Sequence, residues 1–555
     1  MVLARATRPP PAVAAGRVPV ARLASIVTVA VLLALTLALR IWGLPGTGLV
    51  AYDEGWSLSS GRFQVSFLTH PGDWLRLLHQ HGHLFPFGHD WKISHDLLLG
   101  NLFAAGISPE NLTWYSALAG AVMVVVLAAL AWRRWGAPAG AVAGVFAGAV
   151  PLSIVYGHQI LAEADGMAAV AVALYLWDRW WDRRPRRFLV IATVLVFALT
   201  LSVNYRLLPT ILPILLVLGW LALRYRRQDL PPRASVGRLV AVCLIPAAGF
   251  VTLYLLLLGG AALGLPRLSG YVQDEFVRSG SGAALPFALP DFYVRTFWDF
   301  LGPVVALTAG LGCAALLWSW KKLDPLAAVA LGSLLGTFVF FTAIHDKAPR
   351  AIVICVPFAA LVAARAVTLL GNRALQWGAA LTVCGACLVS GWAGGDSARL
   401  VSGTGDAGRW LAAHPGAIVA SRAPVFVAYT ERKWDVSAGI DPAHAIVEPD
   451  GHRPWVVDAT VQGLRQRDAR WVVVDSHALI ISPSPVFSEL IACGRPVAEF
   501  NDPAGWSRLR FLEEADSLHL GYGAVLALRD RLLAVSQAQT IRIYDLAGPG
   551  TASCE

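Results

Sequence analysis

Long apolar runs separated by short polar segments fill most of the first 393 positions of the chain. A helix of about 20 apolar residues rises about 30 Å, which is the thickness of the hydrocarbon core of a bilayer. The pattern therefore predicts about eleven membrane-spanning helices. They lie near residues 23–43, 111–132, 137–157, 160–178, 187–204, 206–223, 237–258, 300–318, 324–343, 350–370 and 374–393.

One apolar segment, "ISHDLLLGNLFAAG" at 93–106, is too short to span a bilayer. We expect it to form a helix that lies flat on the outer surface, within a long first outer loop from 44 to 110. The same loop contains "DWLRLLHQHGHLF", whose aromatic, basic and histidine residues suit a helix in the membrane interface.

From residue 394 onward the pattern changes to short apolar stretches within a polar tail. Such stretches, alternating with helical segments, predict a small α/β domain over 394–555. The predicted strands are "AIVAS", "FVAYT", "WVVVDS", "AVLAL" and "IRIYDL".

Composition supports a membrane protein. Hydrophobic residues make up 56% of the chain and charged residues 15%, whereas a soluble domain is about 25% charged. This excludes an ordinary soluble protein. The net charge of +9 is explained by arginine-rich loops, which are typical of the cytoplasmic side of a membrane protein. The positive charge is therefore not taken as a sign of nucleic-acid binding.

Nearly every loop dense in arginine or lysine falls on the cytoplasmic side when the basic residues 1–22 are placed in the cytoplasm as a disordered segment. An odd number of spans then places the tail outside. We predict a multi-pass protein of the cell inner (plasma) membrane, with a transmembrane domain over 23–393 and an extracytoplasmic C-terminal domain. In an oxidising compartment Cys493 and Cys554 of the tail could form a disulfide.

Four polar clusters fall on the predicted outer face, where carboxylates occur together with cations and histidines. Ionisable groups at the edge of a spanning helix cost free energy and usually line a site or cavity. The mixture therefore indicates chemistry on an anionic molecule at the outer leaflet. The clusters are Asp53 and Glu54 with Arg40; His81, His83, His89, Lys92 and His95; His158, Glu163 and Asp165; and His345, Asp346, Lys347 and Arg350, with Arg206 at a further outer turn.

Each cluster also has a simpler interpretation. The adjacent acids of the first cluster would be solvated in an ordinary loop, and Glu163 and Asp165 would stabilise a helix N-terminus through its dipole. Lys347 and Arg350 would anchor the chain to lipid phosphates. The histidines would bind metal, although their spacings match no sharp ligand motif. The occurrence of all four clusters on one face favours a functional site.

Four short motifs together resemble the membrane-embedded glycosyltransferases of the GT-C fold, and most closely the protein O-mannosyltransferases and aminoarabinose transferases. These motifs are "LRIWGLPG", "YDEGW", "DWKISHDLLLGNLFAAG" and "DKAPRAIVICVP". The family has an arginine near the end of a spanning helix, then a first outer loop that opens with Asp-Glu. Where the family often has Pro-Pro-Leu, this chain has Ile93-Ser94-His95. The resemblance covers residues 23–393.

This resemblance implies transfer of a sugar, with inversion, from a polyprenyl-phosphate donor to an acceptor hydroxyl at the outer face. Asp53 is the expected general base, because a positioned carboxylate can take the hydroxyl proton as the new bond forms. Glu54 would orient the acceptor or share that role. The leaving phosphate needs cations to neutralise its charge. The expected cations are Lys92, Arg206, Lys347 and Arg350, and the further site candidates are Arg40, His95, His158, Glu163, Asp165 and His345.

The expected partners are the polyprenyl-phosphate sugar, membrane lipids and an acceptor that is a protein, a glycan or a lipid; nucleic acid is not expected. No cofactor is predicted, because a lipid monophosphate donor demands no metal, although the acids and histidines are compatible with a divalent ion. The main alternative is a polytopic transporter or lipid flippase, which would hold its charges near the bilayer midplane. A receptor anchored by its helices and an enzyme with a lipid diphosphate donor are further alternatives.

Overall fold

The described part of the chain is a helical bundle followed by a region that contains a small mixed sheet. The predicted span at 237–258 and nearly all of those at 187–204 and 206–223 lie outside it, as do the N-terminal segment 1–19 and the histidines 81, 83 and 89. A computed structural model describes residues 20–44, 48–69, 72, 92–182, 200, 207, 291–320, 323–343, 349–430, 460–466, 469–480, 485–503, 527, 530 and 540–554.

The bundle consists of helices that we number α1 to α12. They are α1 (Val20–Ile41), α2 (Tyr52–Thr69), α3 (Ile93–Ala104), α4 (Pro109–Trp135), α5 (Ala137–Ala149), α6 (Pro151–Gly157), α7 (Ala162–Asp182), α8 (Phe292–Leu301), α9 (Pro303–Trp318), α10 (Pro325–Ala343), α11 (Val356–Val367) and α12 (Arg373–Gly394). A 3₁₀ helix, Pro349–Cys355, leads into α11.

Within the described residues, five helical segments are long and apolar enough to cross a membrane, and α5 with α6 makes a sixth if the two count as one span. The five are α1, α4, α10, α12 and the continuous segment of the 3₁₀ helix and α11. The prediction of a polytopic helical membrane protein is confirmed. The count of about eleven spans stays a prediction.

Two predicted spans are interrupted. The segment 137–157 bends by 63° between α5 and α6, because Val150 is extended and Pro151 begins the new helix. Proline has no N–H to continue a helical ladder, and it disfavours helical backbone at the residue before it. In the segment 300–318, Gly302 has a φ of 94° and is followed by Pro303, so α8 ends and α9 begins there.

The region after α12 contains a four-stranded sheet in the order β1-β2-β4-β3. β1 is parallel to β2, whereas β4 is antiparallel to both β2 and β3. The strands are β1 (Ala417–Ala420), β2 (Ala469–Val474), β3 (Ala498–Asn501) and β4 (Thr540–Asp545). The accompanying helices are α13 (Asp396–Arg399), α14 (Thr404–Ala413), α15 (Ala423–Thr430), α16 (Val461–Arg465), α17 (Ser476–Ile480) and α18 (Pro485–Cys493).

Alternation along β2 gives the sheet two buried faces. Val472 and Val474 belong to one apolar cluster with Phe487 of α18, and Trp471 and Val473 belong to another with α14. Successive side chains of a strand point to opposite faces, which explains this division. The sheet therefore has helices on both sides, whereas the domain limits 394–555 stay a prediction.

The predicted strand "FVAYT" is wrong, because these residues end helix α15. A short apolar run has no periodicity that distinguishes a strand from a buried helix, and this one packs against α2 and α14. Cys493 and Cys554 form a disulfide, with their Cα atoms 5.6 Å apart. The predicted strand "AVLAL" lies almost wholly outside the described residues.

Candidate functional site

A carboxylate and two cations from distant parts of the chain meet at the start of α2. Asp53 is the second residue of α2 and is 8% exposed. Its Oδ2 is ion-paired with Nη1 of Arg350, a residue of the 3₁₀ helix, and lies 3.8 Å from Nζ of Lys92, the residue directly before α3. The structure thus brings together the predicted base and two of the predicted phosphate-binding cations.

Glu54, next to Asp53, has different surroundings. It is fully buried, and its Oε2 accepts hydrogen bonds from the backbone N–H groups of Val50 at 2.6 Å and Ala51 at 2.7 Å. Its Oε1 accepts from the N–H of Ile160 at 2.9 Å. Both oxygens therefore bind backbone, so Glu54 caps the start of α2 and fixes it to the turn between α6 and α7.

A second cluster joins α3, α4 and α7. His95 Nδ1 lies 2.5 Å from Oδ2 of Asp165, which also accepts the hydroxyl of Tyr115 at 2.8 Å. His95 Nε2 lies 3.1 Å from the carbonyl oxygen of Ile160. A carbonyl only accepts, so Nε2 carries a hydrogen, and a carboxylate at Nδ1 then favours the imidazolium.

The pKa of His95 is raised accordingly. Burial by itself lowers this pKa, but the charge and hydrogen bond of Asp165, together with the charge of Asp96, outweigh burial and the nearby Lys92. His95 ties α3 to the start of α7 and to the turn that also receives Glu54.

Arg40 and His158 hold the bend between α5 and α6. The buried Arg40 donates from Nη1 to Ser153 Oγ at 2.9 Å and to the carbonyl of Gly148 at 3.3 Å. His158 Nε2 donates to the carbonyl of Arg40 at 2.6 Å. A Cβ on Gly157 would meet this guanidinium, so the glycine makes room for it.

The remaining predicted residues are placed as follows. Glu163 is buried in the first turn of α7, two residues before Asp165. Arg206, His345 and Lys347 lie outside the residues that the structure describes. Within the described ranges, no group of three or more His, Cys, Asp or Glu side chains is arranged to hold a metal ion.

Sequence reasoning missed Tyr115 and the backbone of Ile160. Tyr115 had one available signal, since a tyrosine in an otherwise apolar helix needs a partner for its hydroxyl. Ile160 had none, because its N–H and carbonyl act through the backbone.

A scan of protein-family models and a search of curated proteins found no match. Solved structures do match. Apo ArnT from Cupriavidus metallidurans superposes with a TM-score of 0.52 at 14% identity, covering 83% of this chain and 95% of that chain. The oligosaccharyltransferase of Archaeoglobus fulgidus, in complex with an inhibitory peptide and a dolichol-phosphate, gives 0.54 at 10% identity, covering 94% and 88%. ArnT bound to undecaprenyl phosphate gives 0.45 at 18% identity, covering 69% and 65%.

The chain has the GT-C fold. At these identities the likeness shows the arrangement of the helices, and it does not by itself assign a reaction. The resemblance seen in the sequence motifs is confirmed at this level. In this chain α2 and α3 follow α1 and precede α4 in sequence, and their N-terminal ends bring Asp53 and Lys92 together.

Proposed function

We propose that this protein is an integral-membrane glycosyltransferase that moves a sugar from a polyprenyl-phosphate donor to an acceptor hydroxyl at the extracytoplasmic face. The observation that carries the proposal is the buried carboxylate of Asp53 beside two cations, Lys92 and Arg350, from distant segments. The GT-C fold and the dolichol-phosphate bound to the archaeal oligosaccharyltransferase support a lipid-phosphate donor.

In the proposed reaction, the acceptor oxygen bonds to the anomeric carbon of the sugar as Asp53 takes the hydroxyl proton. The bond between that carbon and the phosphate oxygen breaks, and its electron pair leaves with the polyprenyl phosphate. Attack from the face opposite the phosphate inverts the anomeric centre. Lys92 and Arg350 would neutralise the charge that develops on the phosphate, with Arg206 and Lys347 as further cations predicted from the sequence.

The contacts favour Asp53 over Glu54 as the base. A base must receive a proton, and each oxygen of Glu54 already accepts from backbone N–H groups. Protonation of Glu54 would weaken these charge-assisted bonds and loosen the start of α2. Asp53 contacts the charged side chains of Lys92 and Arg350, and an incoming phosphate would share the same cations.

The other predicted residues would act by position. The pair of His95 and Asp165 holds α3, which begins directly after Lys92. Arg40 and His158 hold the bend after α5, and Glu163 is buried in the first turn of α7. These groups would keep the cations and the base at fixed relative positions as substrates enter.

We place the N-terminus in the cytoplasm and the C-terminal region outside the cell membrane. The disulfide of Cys493 and Cys554 supports this orientation, because disulfides persist in oxidising compartments and are rare in the cytosol. The arginine-rich loops between the predicted spans support it independently.

The proposal is tested with the purified protein in lipid vesicles, a panel of polyprenyl-phosphate sugars and a cell-envelope extract as the acceptor pool. The measured product is released polyprenyl phosphate. Asp53→Asn is expected to lower the rate about 100- to 10,000-fold, the range for loss of a general base. The matched control is Asp406→Asn, which removes an exposed acid paired with Arg409 and should leave the rate unchanged.

Full activity in a folded Asp53→Asn variant would refute the assignment of the base. Movement of a lipid-linked sugar across the vesicle membrane without release of polyprenyl phosphate would favour the transporter or flippase. If an added lipid diphosphate sugar released polyprenyl diphosphate while the monophosphate donors released nothing, an oligosaccharyltransferase-like reaction would be favoured.

A further inference from the structure

Three backbone groups of Leu49 and Val50, a few residues before Asp53, are hydrogen-bonded to the C-terminal region. The N–H of Leu49 donates to the hydroxyl of Tyr429 at 3.1 Å, and the carbonyl of Leu49 accepts from Oγ1 of Thr404. The carbonyl of Val50 accepts from Nη1 of Arg422. Residues about 350 to 380 positions later in the chain therefore hold this short segment.

The rest of the same segment is bonded to Glu54. The N–H groups of Val50 and Ala51 donate to Oε2 of Glu54, and the carbonyl of Ala51 accepts the N–H of Glu54 at 3.1 Å. Every backbone N–H and carbonyl of residues 49–51 thus has a partner. Because α2 begins at Tyr52, these bonds determine where the first turn of α2, and with it Asp53, is located.

Arg422 is itself fixed by two acids of the C-terminal region. The side chain is fully buried; Nε donates to Asp475 Oδ2 at 2.8 Å and Nη2 to Asp502 Oδ2 at 3.3 Å. The other oxygens of these acids accept backbone N–H groups, from Ala478 at 2.8 Å and Gly403 at 3.1 Å. The third guanidinium nitrogen, Nη1, donates to the carbonyl of Val50. The orientation of the planar guanidinium group of Arg422 is therefore fixed by three partners.

We propose that Arg422, with Thr404 and Tyr429, forms a positioning clamp through which the C-terminal region holds Asp53 in its reactive place. The inference rests on the proposed function for its effect on catalysis, but the clamp itself is a structural statement. Displacement of a catalytic group by about 1 Å can cost about 100-fold in rate. A C-terminal region that is distant in sequence thereby becomes necessary for the chemistry of the first outer loop.

The clamp does more than hold the C-terminal region against the helical bundle. Apolar packing already joins them, since Leu49, Leu58 and Leu99 share a cluster with Val425 and Ala428 of α15. Burying an ion pair gains little stability over apolar packing, whereas its directed bonds fix a geometry. A second polar link, between Arg409 and Glu110, is largely exposed on the arginine side. Neither residue is among the partners of the backbone groups of residues 49–51. This link provides the matched control.

The first experiment measures turnover of the full-length protein in lipid vesicles with a polyprenyl-phosphate sugar. Arg422→Ala is expected to lower kcat about 100-fold with the donor KM within about twofold of the wild-type value. Arg422→Lys should recover part of the loss, because lysine keeps the positive charge and one donor nitrogen in place of three. Arg409→Ala should leave kcat and KM unchanged. A wild-type kcat in a folded Arg422→Ala variant would overturn the proposal.

The second experiment needs no activity and follows hydrogen exchange of the amides at positions 49–54 in the same vesicles. Arg422→Ala is expected to accelerate this exchange at least about tenfold, and Arg409→Ala is not. If Arg422→Ala does not fold, Tyr429→Phe and Thr404→Val each remove one bond of the clamp and should accelerate exchange at the same positions.

The two measurements separate the clamp from the proposed function. If the wild-type protein releases no polyprenyl phosphate but exchange rises in Arg422→Ala, the proposed function fails and the clamp stands. If the wild-type protein is active and exchange does not change in the clamp variants, the clamp is refuted. Faster exchange with unchanged kcat would refute the link between the clamp and Asp53.

Discussion

Asp53 and Glu54 are adjacent in sequence, but their carboxylates contact different groups. The side chain of Asp53 meets Lys92 and Arg350, whereas that of Glu54 receives three backbone N–H groups. A carboxylate that accepts several backbone hydrogen bonds fixes the start of a helix, whereas a carboxylate that faces cations shares partners that a phosphate can also bind. Charge alone does not distinguish them; the atoms around each oxygen do.

His95 gives a prediction for the dependence of stability on pH. Its pKa is raised in the folded protein above the ordinary value of 6.5 by Asp165, so the interaction stabilises the fold fully below about pH 6.5. This contribution is lost as the pH rises through the raised pKa. A charge-assisted hydrogen bond contributes about 1.5–3 kcal/mol. The difference in Tm between the wild-type protein and His95→Gln should therefore be largest near pH 6 and shrink toward pH 9.

Asp165→Asn is the control for this titration, because it removes the group that raises the pKa of His95. In that background the Tm difference caused by His95→Gln should lose most of its dependence on pH. A Tm difference that stays constant from pH 6 to pH 9 in the wild-type background would contradict the charged state of His95.

At the scale of elements, α2 and α3 cross closely enough for their backbones to touch. A Cβ on Gly61 would meet the backbone of Gly100, and a Cβ on Gly100 would meet that of Gly61. Arg62 lies over the ring of Phe103, 4.9 Å from its centroid, beside this crossing. The two glycines thus set the spacing of the helices whose first turns bring Asp53 and Lys92 together.

Gly100→Ala is therefore expected to separate α2 from α3. Overpacking of this kind costs about 1–3 kcal/mol, although alanine favours a helix over glycine by about 1 kcal/mol. We expect a lower Tm and at least about a tenfold loss of transfer rate, since the base and the cations move apart. The control is Gly385→Ala in α12, where nothing lies within 4 Å of an added Cβ. Equal rates and equal Tm values for the two variants would contradict this packing.

At the scale of the whole molecule, the sheet region and the membrane helices meet at the segment that precedes the candidate base. The C-terminal region contributes Arg422 and Thr404 to that segment, and α12 connects the two parts covalently. The stability of the sheet region is therefore coupled to the geometry at Asp53, which lies at its border with the bundle.

The disulfide of Cys493 and Cys554 tests both location and stability at this scale. Closing a loop of 61 residues stabilises a fold by about 4 kcal/mol in the chain-entropy model. We expect the pair to be oxidised in cells, so denatured protein should gain two maleimide mass tags after reduction. Reduction should also lower the Tm of the C-terminal region. Cys493→Ser removes the pair and should show no gain of two tags.

A wild-type protein from cells that takes all its tags without reductant would contradict the extracytoplasmic location. The free thiols of Cys384 and Cys387 in α12 serve as internal references, because they are tagged in denatured protein with or without reductant.

The sequence by itself determined that this protein is helical and embedded in a membrane, because the solvation of long apolar runs is a local property of the chain. It also identified Asp53, Lys92 and Arg350 as candidates. Charged groups beside apolar helices are costly, so they stand out without a structure.

Only the tertiary structure decided which groups are partners. Contacts between residues nearly 300 positions apart, as for Asp53 and Arg350, leave no trace in local periodicity. The same holds for the backbone-bonded role of Glu54, for the helix formed by "FVAYT" and for Arg422, an arginine of the tail with no distinguishing neighbour in sequence. Burial and hydrogen-bond partners are properties of the folded chain, and they distinguish the surroundings of these residues.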